Sequence, residues 1–539
     1  MALPPNLSQN QFNEALSEFR QVVGNDWVFS SDEDIALYRD SYSIYWGEEE
    51  ERIASAAVAP ASVEEVQGVV RIANRFRIPI YPISTGRNLT YGGAAPTLTG
   101  SVVIDLKRMN RVLEVDEKRH FALVEPGVSY FDLYNYIHER GLQVMLDIPD
   151  PGWGSPMGNS LDHGVGYTMG PYRDHFGSHC GLEIVTAEGD LIRTGMGAIP
   201  GSQSWQDFHY GAGPSIDGLF AQSNFGIVTK MGVQLMPMQE AFMTGVVTVP
   251  LYQDFPALIE QVAYLEDSFL SGMPLYGSPV GGPILSPSPA ARDLTANGWP
   301  SIDELEAFVR DHGLPAWSVT LSFYGPKETV RANWAYAQRR IAAAINGATF
   351  ENGEFSTLPI AEEDIPALPD KVRFGIPNLE IFHLVARNPM TDADPPDGHA
   401  DLFSMLPRKG EEVWKAARMF AETYQEFGWA PMHSPFSAPI NYFSRSLIMP
   451  ALLPTWRDPV KNEISRELYG TLLDRMAENG YGTYRTAPAF QDRAISKYSF
   501  NNNALLRFQE KLKDSIDPNG IISPGRYGIW PSNMRNNRG

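Results

Sequence analysis

The chain has 539 residues, and its 64 acidic and 43 basic side chains give a formal net charge of −21. This charge argues against a nucleic-acid partner, which would require clustered Lys and Arg. The only cysteine, Cys180, cannot form an intrachain disulfide, and no apolar run is long enough to span a membrane. The length predicts at least two domains. Since the first residues resemble no secretory signal, we expect a cytoplasmic protein.

The first half of the chain alternates predicted helices and strands. Ser8, Ser62 and Ser129 each precede apolar residues at helical spacing and are predicted helix N-caps, with a capping box at Ser62–Glu65. The predicted strands cover residues 56–59, 78–83, 101–106, 120–125, 182–185 and 226–230. This alternation predicts an α+β or α/β domain.

From about residue 241 the sequence changes to longer helical stretches, such as 327–345 and 411–427, joined by Pro-rich connections. We therefore predict a first domain over residues 1–240 and a second over residues 241–486. The C-terminal segment, residues 487–539, is expected to return to the first domain.

A glycine-rich turn, STGRNLTYGGAAP at residues 84–96, follows a predicted buried strand. It matches neither the dinucleotide-binding fingerprint nor the Walker pattern, so an ordinary tight turn is one interpretation. The other interpretation is an anion-binding loop, because hydroxyl groups, Arg87, Asn88 and paired glycines can bring several donors together. Two more glycine-rich loops, at residues 150–168 and 222–226, favour this second interpretation.

Tyr484 and Arg485 stand side by side near the end of the chain. A packed tyrosine beside a surface arginine would explain the pair. However, phenol has a pKa near 10, and a guanidinium with hydroxyl donors stabilises phenolate over phenol. The pair therefore also suits a pocket for an anionic oxygen. No group of His, Cys and carboxylate residues has zinc-ligand spacing, so no metal site is expected.

Long stretches at both ends of the chain carry a family resemblance. They lie at residues 84–96, 123–134, 158–168, 193–202, 222–232, 481–486 and 517–531. In them the chain resembles the 4-phenol oxidising flavoproteins of the vanillyl-alcohol-oxidase type. The resemblance implies an α+β fold with two domains. An FAD-binding domain would be built from residues 1–240 and 487–539, and an α/β cap domain from residues 241–486.

The resemblance also implies the residues that bind FAD. They are Ser84, Thr85, Gly86, Arg87, Asn88, Gly92, Pro151, Gly154, Ser155, Gly158, Asn159, Asp162, Gly166, Tyr167, Gly226, Ile227, His399 and Arg526. His399 falls where the oxidases of the family link a histidine covalently to the flavin 8α-methyl group. The hydroxylase of the family uses a tyrosine instead, at a position that is Val385 here, which argues against a tyrosyl link.

The catalytic residues that the resemblance implies are Tyr91, Asp150, Tyr484 and Arg485. Tyr91, Tyr484 and Arg485 would bind the phenolic oxygen. Asp150 would be the carboxylate beside the flavin and the benzylic carbon of the substrate.

The implied activity is the FAD-dependent oxidation of para-substituted phenols through a p-quinone methide, with O₂ reduced to H₂O₂. Benzylic alcohols would give aldehydes, and alkylphenols would give hydroxylated or alkenyl products. Two alternatives stay open: a phenol dehydrogenase that passes its electrons to a cytochrome, and a non-catalytic binder of flavin or aromatic ligands. The expected partners are a small phenol, O₂ and further copies of the chain, with no nucleic acid and no membrane.

Overall fold

The structure is a computed structural model that describes residues 2–278, 289–295, 300–382, 396–428, 443 and 445–538. Helices and strands occur together through both halves of the chain, which confirms the predicted α+β class. Within these ranges, no helix is both long enough and apolar enough to cross a membrane.

The helices and strands of the described residues are numbered here in chain order. The helices are α1 (Gln9–Val23), α2 (Asp32–Ala36), α3 (Val63–Phe76), α4 (Tyr130–Glu139), α5 (Pro156–Leu161), α6 (Gly170–Arg173), α7 (Phe255–Asp267), α8 (Pro289–Thr295), α9 (Ile302–Asp311), α10 (Lys327–Ala344), α11 (Gly410–Glu426), α12 (Glu463–Glu478), α13 (Gln491–Ser496) and α14 (Phe500–Ile516). The strands are β1 (Val28–Phe29), β2 (Ala56–Val58), β3 (Ile80–Ile83), β4 (Val102–Asp105), β5 (Val112–Asp116), β6 (Phe121–Val124), β7 (Val144–Met145), β8 (His179–Val185), β9 (Leu191–Arg193), β10 (Ile227–Gln234), β11 (Met236–Pro237), β12 (Ala241–Val249), β13 (Leu275–Gly277), β14 (Trp317–Gly325), β15 (Thr349–Thr357), β16 (Gly398–Pro407) and β17 (Ser446–Thr455).

Two larger sheets and a short two-stranded sheet of β7 and β11 lie in the N-terminal half of the structure. A mixed sheet has the strand order β1-β2-β4-β3, with β2, β4 and β3 parallel and β1 antiparallel to β2. Helices α1 and α3 bury Phe12, Phe19 and Val69 in its core, since these apolar residues recur at helical spacing. An antiparallel sheet follows, with the order β5-β6-β10-β8-β9.

The N-caps predicted from the sequence are confirmed at Ser8, Ser62 and Ser129. Each serine hydroxyl accepts a hydrogen bond from the backbone N–H three residues later, which satisfies a donor that the first turn leaves free. The reciprocal bond of the capping box predicted at Ser62 does not form. There the Glu65 carboxylate accepts from the backbone N–H of Ala61 instead.

The chain beyond residue 240 contains a four-stranded antiparallel sheet, in line with the α/β cap that the resemblance implied, although the sequence analysis located none of its strands. Its order is β13-β14-β12-β15. β12 buries Met243, Val247 and Val249 on one face, with the period of two that is typical of a strand. Helices α7, α10, α11 and α12 share the core on this face. β16 and β17 form a long antiparallel ribbon beside them.

The C-terminal segment packs against both parts of the chain. Ile521 and Ile522 are buried in the core of the first sheet, where Ile522 forms a parallel bridge with Ile80. Phe490 and Ala494 belong instead to the core around β12 and β14, so this core extends past residue 486.

A buried lysine fixes the turn that follows α14. The ammonium group of Lys513 donates to the carbonyl oxygens of Asn224 and Ile522, at 2.5 and 2.6 Å, and lies 2.7 Å from the Asp517 carboxylate. Burial lowers the pKa of Lys513, and the charge of Asp517 opposes this shift. The lysine thus links the C-terminal segment to the loop before β10.

We expect Lys513→Ala to destabilise the protein by about 3–5 kcal/mol, because the substitution leaves Asp517 and two carbonyl oxygens buried without their partner. Chemical denaturation compared with Lys511→Ala, an exposed lysine on the same helix, measures the effect. Equal denaturation midpoints for the two variants would contradict this role for Lys513.

Candidate active site

A cavity of about 430 Å³ lies where the glycine-rich loops of the N-terminal half face the ribbon of β16 and β17. Every residue predicted to form the site lines this cavity, except Gly92 and Gly166. Most of the lining comes from side chains and backbone within the segments 81–93, 149–167, 220–228, 381–382, 399–403, 450–452, 484–485 and 523–526.

The loop at residues 84–93 presents free donors to the cavity. Gly86 adopts a φ of +68°, a conformation that favours glycine. The backbone N–H groups of Gly86, Arg87 and Asn88 donate to no acceptor in the part of the chain that the structure describes. With the hydroxyl groups of Ser84 and Thr85, these N–H groups suit an anion such as a phosphate.

The second glycine-rich loop approaches the first one closely at Gly158. A Cβ atom at Gly158 would lie 2.2 Å from the Ser84 hydroxyl oxygen, so a larger residue there would displace the Ser84 side chain. Ser155 caps α5 beside it by accepting from the Gly158 N–H, and donates to the carbonyl oxygen of Pro126 at 2.7 Å. The predicted residues Pro151, Gly154, Asn159, Tyr167, Gly226 and Ile227 complete this wall.

Gly92 and Gly166, predicted to bind the cofactor, lie behind the wall instead. A Cβ atom at Gly92 would lie 2.5 Å from Pro488, and one at Gly166 would lie 1.4 Å from the Asp147 carboxylate. These two glycines therefore allow close packing of the loops, while their neighbours Gly93 and Tyr167 reach the cavity.

Asp162 joins the two motifs that are farthest apart in the sequence. Its carboxylate accepts from Arg485 Nε at 3.1 Å, from Arg526 Nη2 at 3.0 Å and from the Asn88 side chain at 2.9 Å. Burial alone would raise the pKa of Asp162, but the two arginine charges outweigh it and lower this pKa. Asp162 is thus an ionised anchor for both guanidinium groups.

Arg485, Tyr91 and Tyr484 come together on one wall of the cavity. The Arg485 guanidinium carbon lies 4.2 Å from the centre of the Tyr91 ring, and Nη2 donates to the side-chain oxygen of Asn88 at 3.2 Å. Since a guanidinium has five N–H donors, Asp162 and Asn88 leave some of them for a ligand.

Both tyrosines of this wall stay protonated at neutral pH. Burial and the neighbouring Asp401 carboxylate raise the pKa of Tyr91 well above its ordinary value, against the opposing charge of Arg485. Burial also raises the pKa of Tyr484, again opposed by Arg485. The buried Tyr91 hydroxyl has no hydrogen-bond partner among the described residues. This wall can therefore offer hydroxyl donors and a fixed positive charge to an anionic oxygen.

Asp150 supplies a carboxylate elsewhere in the same cavity. Burial raises the pKa of Asp150 to about 6, a hydrogen bond with Tyr167 opposes the shift, and the charges of Asp370 and Glu380 add to it. A carboxylate with this pKa is ionised at neutral pH yet basic enough to accept a proton.

His399 reaches the cavity because of the alternation along β16. Ala400 and Leu402 point into the core, whereas His399, Asp401 and Phe403 line the cavity. His399 Nε2 lies 3.4 Å from an Asp401 carboxylate oxygen, and the buried Nδ1 has no partner among the described residues. Val385 lies outside the described residues, so the argument against a tyrosyl link stays a prediction.

Several cavity residues were missed by the sequence analysis. Asp401 accepts from the Thr90 hydroxyl at 3.0 Å, and Phe403 stacks on the Tyr484 ring at 6.3 Å. The Phe382 ring packs at 4.7 Å from that of Trp153. Strand alternation after His399 could have indicated the first two, whereas Phe382 carries no signal in the sequence.

The residues present fit FAD. Free backbone donors and hydroxyl groups at residues 84–88 suit the diphosphate, and apolar side chains line the rest of the cavity. Five buried polar atoms of the lining have no hydrogen-bond partner among the described residues, namely Tyr91 Oη, Trp153 Nε1, Ser223 Oγ, His399 Nδ1 and Asp401 Oδ1. Unpaired buried polar atoms call for an explanation, and a bound ligand supplies one.

Comparisons with known proteins identify an FAD-binding domain and the family of the chain. Residues 54–195 match the model of the FAD binding domain family. The chain is 33% identical to the 4-cresol dehydrogenase [hydroxylating] flavoprotein subunit of Pseudomonas putida, over 98% of this chain and 97% of that protein.

Two solved structures are also similar to this chain over nearly its whole length. A 4-ethylphenol oxidase from Gulosibacter chungangensis, in complex with isoeugenol, superposes with a TM-score of 0.83 at 34% identity, covering 99% of this chain and 100% of the other. Substrate-bound p-cresol methylhydroxylase gives 0.82 at 33% identity, covering 98% and 99%. The chain therefore belongs to the 4-phenol oxidising flavoproteins of the vanillyl-alcohol-oxidase type and is an FAD-dependent oxidoreductase.

Proposed function

We propose that the protein oxidises para-substituted phenols at the carbon attached to the ring. The observation that carries this proposal is the convergence of Arg485, Tyr91 and Tyr484 in a cavity that also holds Asp150. The names of the relatives, a 4-ethylphenol oxidase and a 4-cresol dehydrogenase, support this substrate class.

The substrate binds as a phenolate. Phenol has a pKa near 10, so it must lose its proton on binding at neutral pH. The Arg485 guanidinium supplies the compensating charge, and the hydroxyl groups of Tyr91 and Tyr484 donate to the anionic oxygen. Because these donors are already held in place, binding requires little reorganisation.

The phenolate charge favours departure of a hydride from the benzylic carbon, which gives a p-quinone methide. When bound, FAD supplies the hydride acceptor. Arg485 and the tyrosines hold the oxygen end of the ring. Asp150 accepts the proton of a benzylic alcohol, which becomes an aldehyde, or the proton of a water that adds to an alkyl-derived quinone methide.

Residues 241–486 act in this proposal as a cap over the cavity. They contribute His399, Phe403 and Tyr484–Arg485, while the N-terminal part contributes Tyr91 and Asp150. The phenol is then enclosed between the two parts of the chain, which separates the reacting carbon from bulk solvent.

Arg485→Ala should lower kcat/KM for 4-hydroxybenzyl alcohol by roughly 10²–10³-fold, because the developing oxygen charge loses its guanidinium. Steady-state turnover measures this. Arg466→Ala is the matched control, since Arg466 belongs to the same region and lies 3.0 Å from Glu48 outside the cavity. The unaltered enzyme should not oxidise 4-methoxybenzyl alcohol, because its methyl ether replaces the phenolic hydroxyl group and cannot form a phenolate. Normal turnover by Arg485→Ala would refute the phenolate pocket.

Because the pKa of Asp150 is raised to about 6, kcat/KM should fall as the pH decreases through 6. The base is present above this pKa and protonated below it. Asp150→Asn should lower kcat by about 10²–10⁴-fold and remove this limb of the pH profile. If kcat/KM of the Asn variant still fell as the pH decreased through 6, the fall would be due to another group.

The free Nδ1 atom of His399 suits a covalent bond to the flavin. Acid denaturation should leave yellow flavin attached to the unaltered chain and release it from His399→Ala. Release from the unaltered chain would exclude a covalent link, and retention in the variant would place the link on another residue.

We expect O₂ to be the electron acceptor. Turnover under air without another acceptor should release about one H₂O₂ per phenol oxidised, as expected of an oxidase that uses flavin. Turnover that requires a dye or a cytochrome would instead identify a dehydrogenase.

A further inference from the structure

A cluster of His179, His209 and Asp217 lies apart from the cavity. His179 begins β8, His209 lies in the loop after residue 202, and Asp217 opens the short helix Asp217–Phe220. One ligand atom from each of the three residues lies within 4.8 Å of the other two. None of the three lines the cavity.

Backbone carbonyl groups hold both rings of this cluster. The Nδ1 atom of His179 contacts the carbonyl oxygen of Phe176, and that of His209 lies 3.1 Å from the carbonyl oxygen of His179. Carbonyl oxygens only accept, so each Nδ1 carries the proton and donates it. In the neutral imidazole, Nε2 is then left with a lone pair. This tautomer, fixed by a carbonyl group, is the one that metal-binding histidines commonly adopt.

The contact between His179 and Asp217 requires a positive charge, which either a proton or a metal ion can supply. His179 Nε2 lies 3.0 Å from Asp217 Oδ2, and both side chains are buried. Without a proton or a metal ion, a lone pair would face a carboxylate there. Two zinc ligands with bonds of about 2.0–2.2 Å at near-tetrahedral angles lie roughly 3.3–3.6 Å apart. The observed 3.0 Å is a few tenths of an ångström shorter, so a small outward movement of the two side chains would admit the ion in place of a proton.

The third residue gives the cluster an entrance. His209 is only half-buried, whereas His179 and Asp217 are buried. An ion from solvent would therefore contact His209 first and approach the other two ligands from its side. Its ring lies 4.7 Å from that of His179 in an edge-on orientation. A ligand atom of His209 lies within 4.8 Å of those of His179 and Asp217, so a movement of the loop is needed to bring it to bonding distance.

We infer that His179, His209 and Asp217 bind one divalent metal ion of the zinc type. Two imidazoles and one carboxylate form a recognised zinc ligand set, with the fourth position left to water. The ion would tie the loop at residues 203–217 to the start of β8. Its role is structural, although Phe220 and Gln222 in the cavity wall follow directly.

The test uses the purified holoenzyme, stripped with a chelator, mixed with excess Zn²⁺ and then desalted. Metal analysis should find about one zinc per chain in the unaltered protein, and added Zn²⁺ should raise its melting temperature. Both effects should be lost in His209→Ala, which removes a half-buried ligand, and in Asp217→Asn.

His138→Ala is the matched control, because His138 faces the Glu362 carboxylate at 2.7 Å and forms no three-ligand group with the residues that the structure describes. This variant should retain zinc and its thermal shift. Zinc content equal in the unaltered protein and His209→Ala, or no thermal shift in the unaltered protein, would overturn the inference and leave an imidazolium–carboxylate pair. Because His209→Ala removes no buried anion, it should fold, and a normal flavin spectrum verifies this.

Discussion

The arrangement of the active site depends on one buried carboxylate, Asp162, which binds Arg485 and Arg526 at the same time. These arginines follow it by 323 and 364 positions in the chain, so the contact joins the second glycine-rich loop to two distant segments. Removing one partner of a buried ion pair costs about 3–5 kcal/mol. Asp162 thus holds the C-terminal segment in place and fixes the guanidinium of Arg485 in the cavity.

The ion pairs of Asp162 also explain how a protein with a negative net charge can attract an anion into this cavity. Two arginines against one aspartate leave a net positive charge beside the loop at residues 84–93, in a chain whose formal net charge is −21. The unpartnered Tyr91 hydroxyl and the free backbone N–H groups add donors. Asp401 neighbours Tyr91, whereas Asp150 lies elsewhere in the cavity, and burial raises the pKa of both carboxyl groups. The cavity is therefore suited to a phenolate at one place and a proton acceptor at another.

Much of the N-terminal fold could be predicted, because Ser8, Ser62 and Ser129 signal helix starts locally. The sheet of β12 and β14 was missed, since its pairing is set by partners distant in the sequence. The family resemblance identified site residues such as His399. It did not identify Asp401, which lies on the same face of β16. The cluster of His179, His209 and Asp217 likewise joins residues without standard ligand spacing, which no local pattern could indicate.

The central claim is that Arg485, Tyr91 and Tyr484 bind a phenol as its anion. An absorption spectrum of bound 4-nitrophenol tests this directly, because the ligand has no benzylic carbon to oxidise and its phenolate absorbs at longer wavelength than the neutral phenol. At a pH well below the pKa of the free ligand, the enzyme-bound ligand should show the phenolate spectrum. A neutral-phenol spectrum in the bound state would contradict the account.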